Sequence, residues 1–141
     1  MKVRSVHFYV YLFFLGIASW MGAIADASVV VEVGSTMDDF RNATKDEHKI
    51  YVVKFYADWC GPCKMYKPAF ASFAKEHTNP YVQYLQVNVD KSPFVTKAYG
   101  ITSFPTTIII RNDKVFARLS GGGGNVIKDL LENLNKCGIV F

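Results

Sequence analysis

Cys60 and Cys63 stand three residues apart in the stretch YADWCGPCKMYKP, which runs from Tyr56 to Pro68. Two thiols at that spacing can share a metal, form a fixed cross-link, or make a disulfide that opens and closes. A zinc site takes about four ligands, and this stretch supplies two. His77 is followed by no second histidine at finger spacing, and the third cysteine, Cys137, is single. A permanent bridge across two intervening residues closes so short a loop that it constrains the unfolded chain very little. The favoured chemistry is reversible thiol–disulfide exchange, with metal binding and a structural staple as the rivals.

The pair lies where an apolar strand gives way to a helical segment. Residues three apart on a helix share a face at about 5 to 6 Å, within the Cα separation a disulfide tolerates. A helix N-terminus favours an anion through its free N–H groups and dipole, which stabilises a thiolate on Cys60 and makes it the attacking sulfur. Gly61 leaves room for another chain to approach, and Pro62 suits a first helical turn because the donor it lacks would be unsatisfied there. Cys63, one turn deeper, is placed to resolve a mixed disulfide.

The elements that position this pair follow from periodicity. Ser28–Val33 is β-branched and predicts a strand, and Ser35–Asp46 carries a helical spread of Met37, Phe40 and Ala43. Lys49–Ala57 is a near-continuous apolar run suited to a strand covered on both faces. A long helix is expected from about Cys60 to about Glu76, kinked where Pro68 removes a backbone bond. Tyr81–Asp90 predicts a third strand, and Ser92-Pro93 opens a short helix ending at Gly100. PTTIIIR and KVFARL flank Asn112-Asp113 as an antiparallel hairpin, and Asn125–Lys136 closes the chain as an amphipathic helix. The order β α β α β α β β α predicts an α/β domain with a mixed sheet covered by helices on both faces.

The 141 residues suffice for one domain with a sizeable core. Ahead of it, Lys2 and Arg4 precede an uncharged apolar run from Phe8 to Trp20, with small residues following at Ala23-Ile24-Ala25. This layout predicts a signal peptide over residues 1–25, cleaved near Ala25 or Ala27, and a mature domain over 26–141 bound for the secretory pathway. A retained membrane anchor is the alternative, because the uncharged stretch approaches spanning length. With cleavage, the leader touches membrane only transiently. Removing it takes away two basic and no acidic residues, so the net charge falls from +4 to +2. The remaining cations are scattered among acids and give no footprint for nucleic acid. An oxidising route is compatible with either a structural or a redox-active pair.

FYADWCGPCK (Phe55–Lys64), followed by YGITSFPTTIII (Tyr99–Ile110), resembles the thioredoxin family, and the element order agrees over about Val29 to Lys136. The resemblance implies the thioredoxin fold, a central mixed β-sheet flanked by helices on both faces, with Cys60 as nucleophile, Cys63 as resolving thiol, and no cofactor. It implies that Trp59 flanks a contact surface that includes Gly61 and Pro62. It further implies a cis peptide bond at Pro105, facing the cysteines, where residue-level reading favours trans because cis is the minority form of X–Pro bonds. A cis turn there leaves the backbone of Phe104 free to pair with an extended substrate segment. Phe104 departs from the smaller β-branched residue common before this proline.

Lys54 is the largest departure. It lies six residues before Cys60, where thioredoxins commonly carry a buried acid that assists proton transfer at the second cysteine, and Gln86 occupies the place of a frequent lysine partner. One reading has Lys54 reaching solvent on its long stem. The other has Val52, Val53, Phe55 and Tyr56 partly burying the amine, lowering its pKa, and giving it a proton-transfer or electrostatic role at Cys63. Met65, Tyr66 and Phe70 are expected to be helix packing, His48 and His77 to be solvated, and Gly121 to Gly124 to be a flexible connection. Cys137 is read as a small buried side chain, with an exposed thiol as the alternative.

The function these residues predict is a secreted thiol–disulfide oxidoreductase that reduces or exchanges disulfides in protein substrates and serves cell redox homeostasis. It needs an electron donor or reductase that the sequence does not name, and the direction of electron flow is open. The alternative is a thioredoxin-fold subunit that docks clients or scaffolds a larger secretory-route assembly. The leader and domain resemble such a component of the protein-export machinery of intracellular parasites.

Overall fold

A computed structural model describes residues 29–141, so the predicted leader and its cleavage site lie outside the described residues. The elements are β1 (Val30–Glu32), α1 (Met37–Ala43), β2 (Ile50–Tyr56), α2 (Gly61–Glu76), β3 (Val82–Asn88), α3 (Pro93–Ala98), β4 (Thr106–Arg111), β5 (Lys114–Ser120) and α4 (Gly124–Lys136). The five strands form one sheet in the order β1-β3-β2-β4-β5. β1 and β2 run parallel to β3, while β4 is antiparallel to β2 and to β5. This is the mixed sheet expected from the alternating elements, in the thioredoxin fold.

β2 is apolar along almost its whole length because it is the middle strand, and residues Ile50 to Phe55 are all buried. Alternation divides its side chains between two cores. Tyr51, Val53 and Phe55 pack with Phe40 of α1 and Val95 of α3 on one face. Ile50 and Val52 pack with Tyr66, Phe70 and Phe73 of α2 and Leu130 and Leu134 of α4 on the other. Lys54 continues the second row, and this parity decides what surrounds it.

The helix ends follow local chemistry. α1 starts two residues later than the polar run suggests, at Met37, because Thr36 and Asp39 form a reciprocal capping box. The Thr36 hydroxyl and, second, its N–H donate to the Asp39 carboxylate and hold that carboxyl below its usual range. The β4–β5 hairpin turns through Asn112 and Asp113, both with positive φ (50° and 58°), as a two-residue type I′ turn requires.

Three expectations are corrected. Met65 is 80% exposed, so only Tyr66 and Phe70 of that trio are packing residues. His77 is not freely solvated: its ring stacks on Phe73 at 4.1 Å and its Nδ1 lies 2.9 Å from the Phe73 carbonyl, whereas His48 is exposed. The glycine run is not merely a loose connection. A Cβ on Gly122 would meet Tyr66 Cβ at 2.5 Å and Pro105 Cγ at 3.2 Å, so the chain closes onto α2 only with glycine there.

Candidate functional site

Cys60 is the N-cap of α2, and Gly61 and Pro62 form its first turn. The Cys63 N–H donates to Cys60 Sγ at 3.2 Å, so one of the free donors of the helix start points at this sulfur. The two cysteines are joined in a disulfide with a Cα separation of 5.2 Å, and both are largely buried, Cys60 being 5% and Cys63 3% exposed. Cys60 as N-cap and Cys63 in the first turn stand at this separation through the helix start itself.

The Phe104–Pro105 peptide bond is cis, and it faces the pair. The Phe104 carbonyl oxygen lies 3.7 Å from Cys60 Sγ, and the Phe104 N–H has no acceptor among the described residues. Behind the proline, the Tyr66 hydroxyl lies 3.2 Å from Thr107 Oγ1. Burial pushes that phenol up, only partly offset by the Thr107 contact. The Pro105 carbonyl accepts from Gly121 N–H at 2.8 Å, which ties the proline loop to the glycine turn.

Trp59 is 65% exposed, yet it is held in place. Its Nε1–H donates to Asp90 at 2.9 Å, and its ring stands edge-on to Phe104 with centroids 6.1 Å apart. The loop before the cysteines is fixed to the loop after β3 by Asn88, whose amide donates to Asp58 at 3.0 Å and whose side-chain oxygen accepts from the Asp90 N–H at 3.0 Å. Sequence reasoning missed Asp58, Asn88 and Asp90. The available signal was the polar Asn88 and Asp90 at the end of an apolar strand, types that bond nearby backbone at turns.

Lys54 is 2% exposed. In register it lies between Gln86 on β3 and Thr107 on β4. Its ammonium sits over two aromatic faces, 5.0 Å from the Phe70 centroid and 5.2 Å from that of Tyr56. Tyr56 was expected there; Val53 and Phe55 were too, but they occupy the opposite face of β2, and Phe70 of α2 takes their part. Burial lowers the amine's pKa from 10.5 to about 8, with Lys67 adding to the fall and Glu32 opposing it. Glu32 in turn accepts from the Tyr56 hydroxyl at 3.1 Å; burial first, and this acid second, push that phenol up to about 12.

A cavity of about 160 Å³ links the amine to the redox pair, with Lys54, Lys67, Gln86, Asp58 and Cys63 in its wall. Its size is that of roughly five waters at liquid density. The disulfide therefore has an outer side rimmed by Trp59 and Phe104 and an inner side where Cys63 shares a cavity with a buried amine. Cys137 is buried and free, and burial raises its thiol pKa. It lines a separate cavity with His48 and Arg111.

The Thioredoxin family model matches residues 30–136. Thioredoxin-1 of Drosophila yakuba is 33% identical over 102 residues, covering 72% of this chain and 94% of that protein. Thioredoxin-T of Drosophila melanogaster is 37% identical over 86 residues, 61% of this chain and 54% of that protein, so the match spans about half of that relative's length. Among solved structures, Fasciola hepatica thioredoxin superposes with a TM-score of 0.66 at 29% identity, covering 75% of this chain and 97% of that one.

Proposed function

The chain belongs to the thioredoxin family, and from that premise we propose that it is a thiol–disulfide oxidoreductase that reduces or exchanges disulfides in protein substrates through Cys60 and Cys63. The observation that carries this reading is the Cys60–Cys63 disulfide at the start of α2, with the Phe104 carbonyl 3.7 Å from Cys60 Sγ. An extended substrate segment pairs with the Phe104 backbone, and Trp59, Gly61 and Pro62 form the surface around the attacked bond. The Cys60 thiolate attacks one substrate sulfur, forming a mixed disulfide and releasing the other substrate sulfur as a thiolate. Cys63 then attacks Cys60 Sγ, closing the internal disulfide and releasing the second substrate thiolate. The substrate gains two electrons and two protons, and an external dithiol restores the protein.

Cys63 must lose its proton to attack, and it is nearly inaccessible from solvent. The neutral Lys54 amine takes up that proton through the cavity both residues line. Upstream, Lys2, Arg4 and the apolar run from Phe8 to Trp20 support delivery to the secretory pathway, with cleavage near Ala25 or Ala27. N-terminal sequencing of the native protein tests this, and an intact Met1 refutes it.

The activity test is reduction of insulin disulfides with dithiothreitol as donor. The wild-type chain accelerates the reaction, Cys60→Ser abolishes the acceleration, and Cys63→Ser accumulates mixed disulfides. Activity in Cys60→Ser, or equal loss in Cys137→Ser, overturns the assignment.

A further inference from the structure

Lys54 borders a second cavity, of about 260 Å³, between β1, the central strands and α2. Three lysines, Lys54, Lys67 and Lys75, line it beside the apolar Val29, Val30 and Phe70. Among the described residues no carboxylate lines it. Glu32 of β1, the acid whose field reaches Lys54, lines neither cavity and accepts from the Tyr56 hydroxyl of β2. Lys67 of α2 repels the amine, and Gln86 of β3 is neutral. Lys54 itself has no hydrogen bond or ion pair among the described residues; its contacts are the two aromatic faces. Asp58, across the smaller cavity, makes no ion pair with it, so among the described residues this nearly buried cation, bordering a space of roughly nine water volumes, has no bonded counter-ion.

We propose that this cavity binds a short organic carboxylate, its oxygens on the Lys54, Lys67 and Lys75 ammoniums and its hydrocarbon end against Val29, Val30 and Phe70. The apolar part of the wall favours such an amphiphilic anion over inorganic phosphate, which would leave that surface facing water. An anion at this point holds Lys54 in its charged form and so withdraws the acceptor that Cys63 needs. This second step rests on the proposed role of Lys54; binding does not.

The test is titration of the full chain, with its disulfide closed, by sodium butyrate at constant ionic strength, followed by amide NMR. Saturable shifts are expected at Val30, Phe70 and Gln86, with no such response to butyramide or to inorganic phosphate. Lys54→Met should weaken binding about tenfold, the loss of one charge-assisted hydrogen bond. Lys75→Gln, a change at an exposed position that leaves the core untouched, should also weaken it severalfold. Shifts that never saturate, that butyramide reproduces, or that survive both variants mean a merely hydrated cavity and overturn the site. A phosphate response equal to butyrate's overturns the assigned ligand class. Saturating butyrate should also slow release from a preformed Cys60 mixed disulfide in the wild type and not in Lys54→Met. Binding without slowing overturns the coupling alone, and neither readout depends on insulin reduction.

Discussion

Replacing Lys54 by methionine should make the protein more stable near neutral pH, because the variant keeps a long unbranched side chain and discards a buried charge. The amine's pKa falls from 10.5 to about 8 on folding. Each unit of such a difference corresponds to about 1.4 kcal/mol, so holding the charge in the folded state costs up to about 3.5 kcal/mol. Discounted for solvent screening at a group that borders two open cavities, this becomes about 2 kcal/mol. The sign follows from proton binding. Between pH 8 and 10.5 the unfolded chain holds more protons at Lys54 than the folded one, so its contribution to stability rises with pH across that window. Below pH 8 the penalty is fully present. The advantage of Lys54→Met should therefore be largest at pH 6 to 7 and fade above pH 10, whatever packing change adds as a constant. Urea unfolding of both proteins at matched pH from 6 to 10.5 measures the difference. A gap that does not change with pH, or one that widens as pH rises, would refute the buried-cation reasoning.

The same substitution should slow the resolving step: single-turnover release from a Cys60 mixed disulfide should fall about tenfold at pH 7, since general-base assistance of about 10² acts through the roughly one-tenth of amines that are neutral there. Wild-type release should rise about fivefold from pH 7 to 8, nearly double again by about pH 9 and then level off, as the neutral fraction does for a group with a pKa near 8, and Lys54→Arg should be as slow as Lys54→Met because arginine does not surrender its proton. Release preserved in Lys54→Arg would assign the effect to charge alone, and wild-type release in a folded Lys54→Met protein would remove Lys54 from the reaction. Gly122→Ala should cost about 1 to 3 kcal/mol through its clash with Tyr66 and Pro105, while Gly124→Ala, whose Cβ meets nothing, should change urea stability by under about 0.5 kcal/mol.

Most of the scaffold was legible because its signals are local. The apolar run of β2, the Asn112-Asp113 turn and the Cys60-to-Cys63 spacing each report a physical requirement within a few residues of themselves. The surroundings of Lys54 were only partly legible. Strand alternation separates Val53 and Phe55 from Lys54 without any structure, but the arrival of Phe70 over the amine depends on how α2 crosses the sheet. The Asp58–Asn88–Asp90 hydrogen bonds likewise join two loops about 30 residues apart in sequence, and no single stretch contains both partners. Gly122 misled for a further reason: a glycine needed for close approach and one needed for flexibility look alike until the neighbour is known.

A lysine at this position does not simply reverse the chemistry of the acid that thioredoxins commonly carry there. Burial disfavours the charged form of either side chain, so it raises a carboxyl pKa and lowers an amine pKa, and both move toward neutrality from opposite sides. Either group can accept a proton from Cys63 at physiological pH. They differ in what they become. A carboxylate turns neutral on accepting the proton and leaves the new thiolate with no opposite charge beside it. The Lys54 amine turns cationic, so the proton transfer creates an ammonium–thiolate pair across a cavity of about 160 Å³ in which few waters can screen it. The starting state also differs, because the amine is neutral before the transfer whereas a carboxylate already carries a charge that disfavours thiolate formation beside it. The lysine's drawback lies in its resting state below pH 8, where most molecules hold the proton already and cannot act as acceptors. A lysine-assisted thioredoxin should thus resolve mixed disulfides best on the alkaline side of neutrality, and any anion that settles beside Lys54 should push that optimum further up.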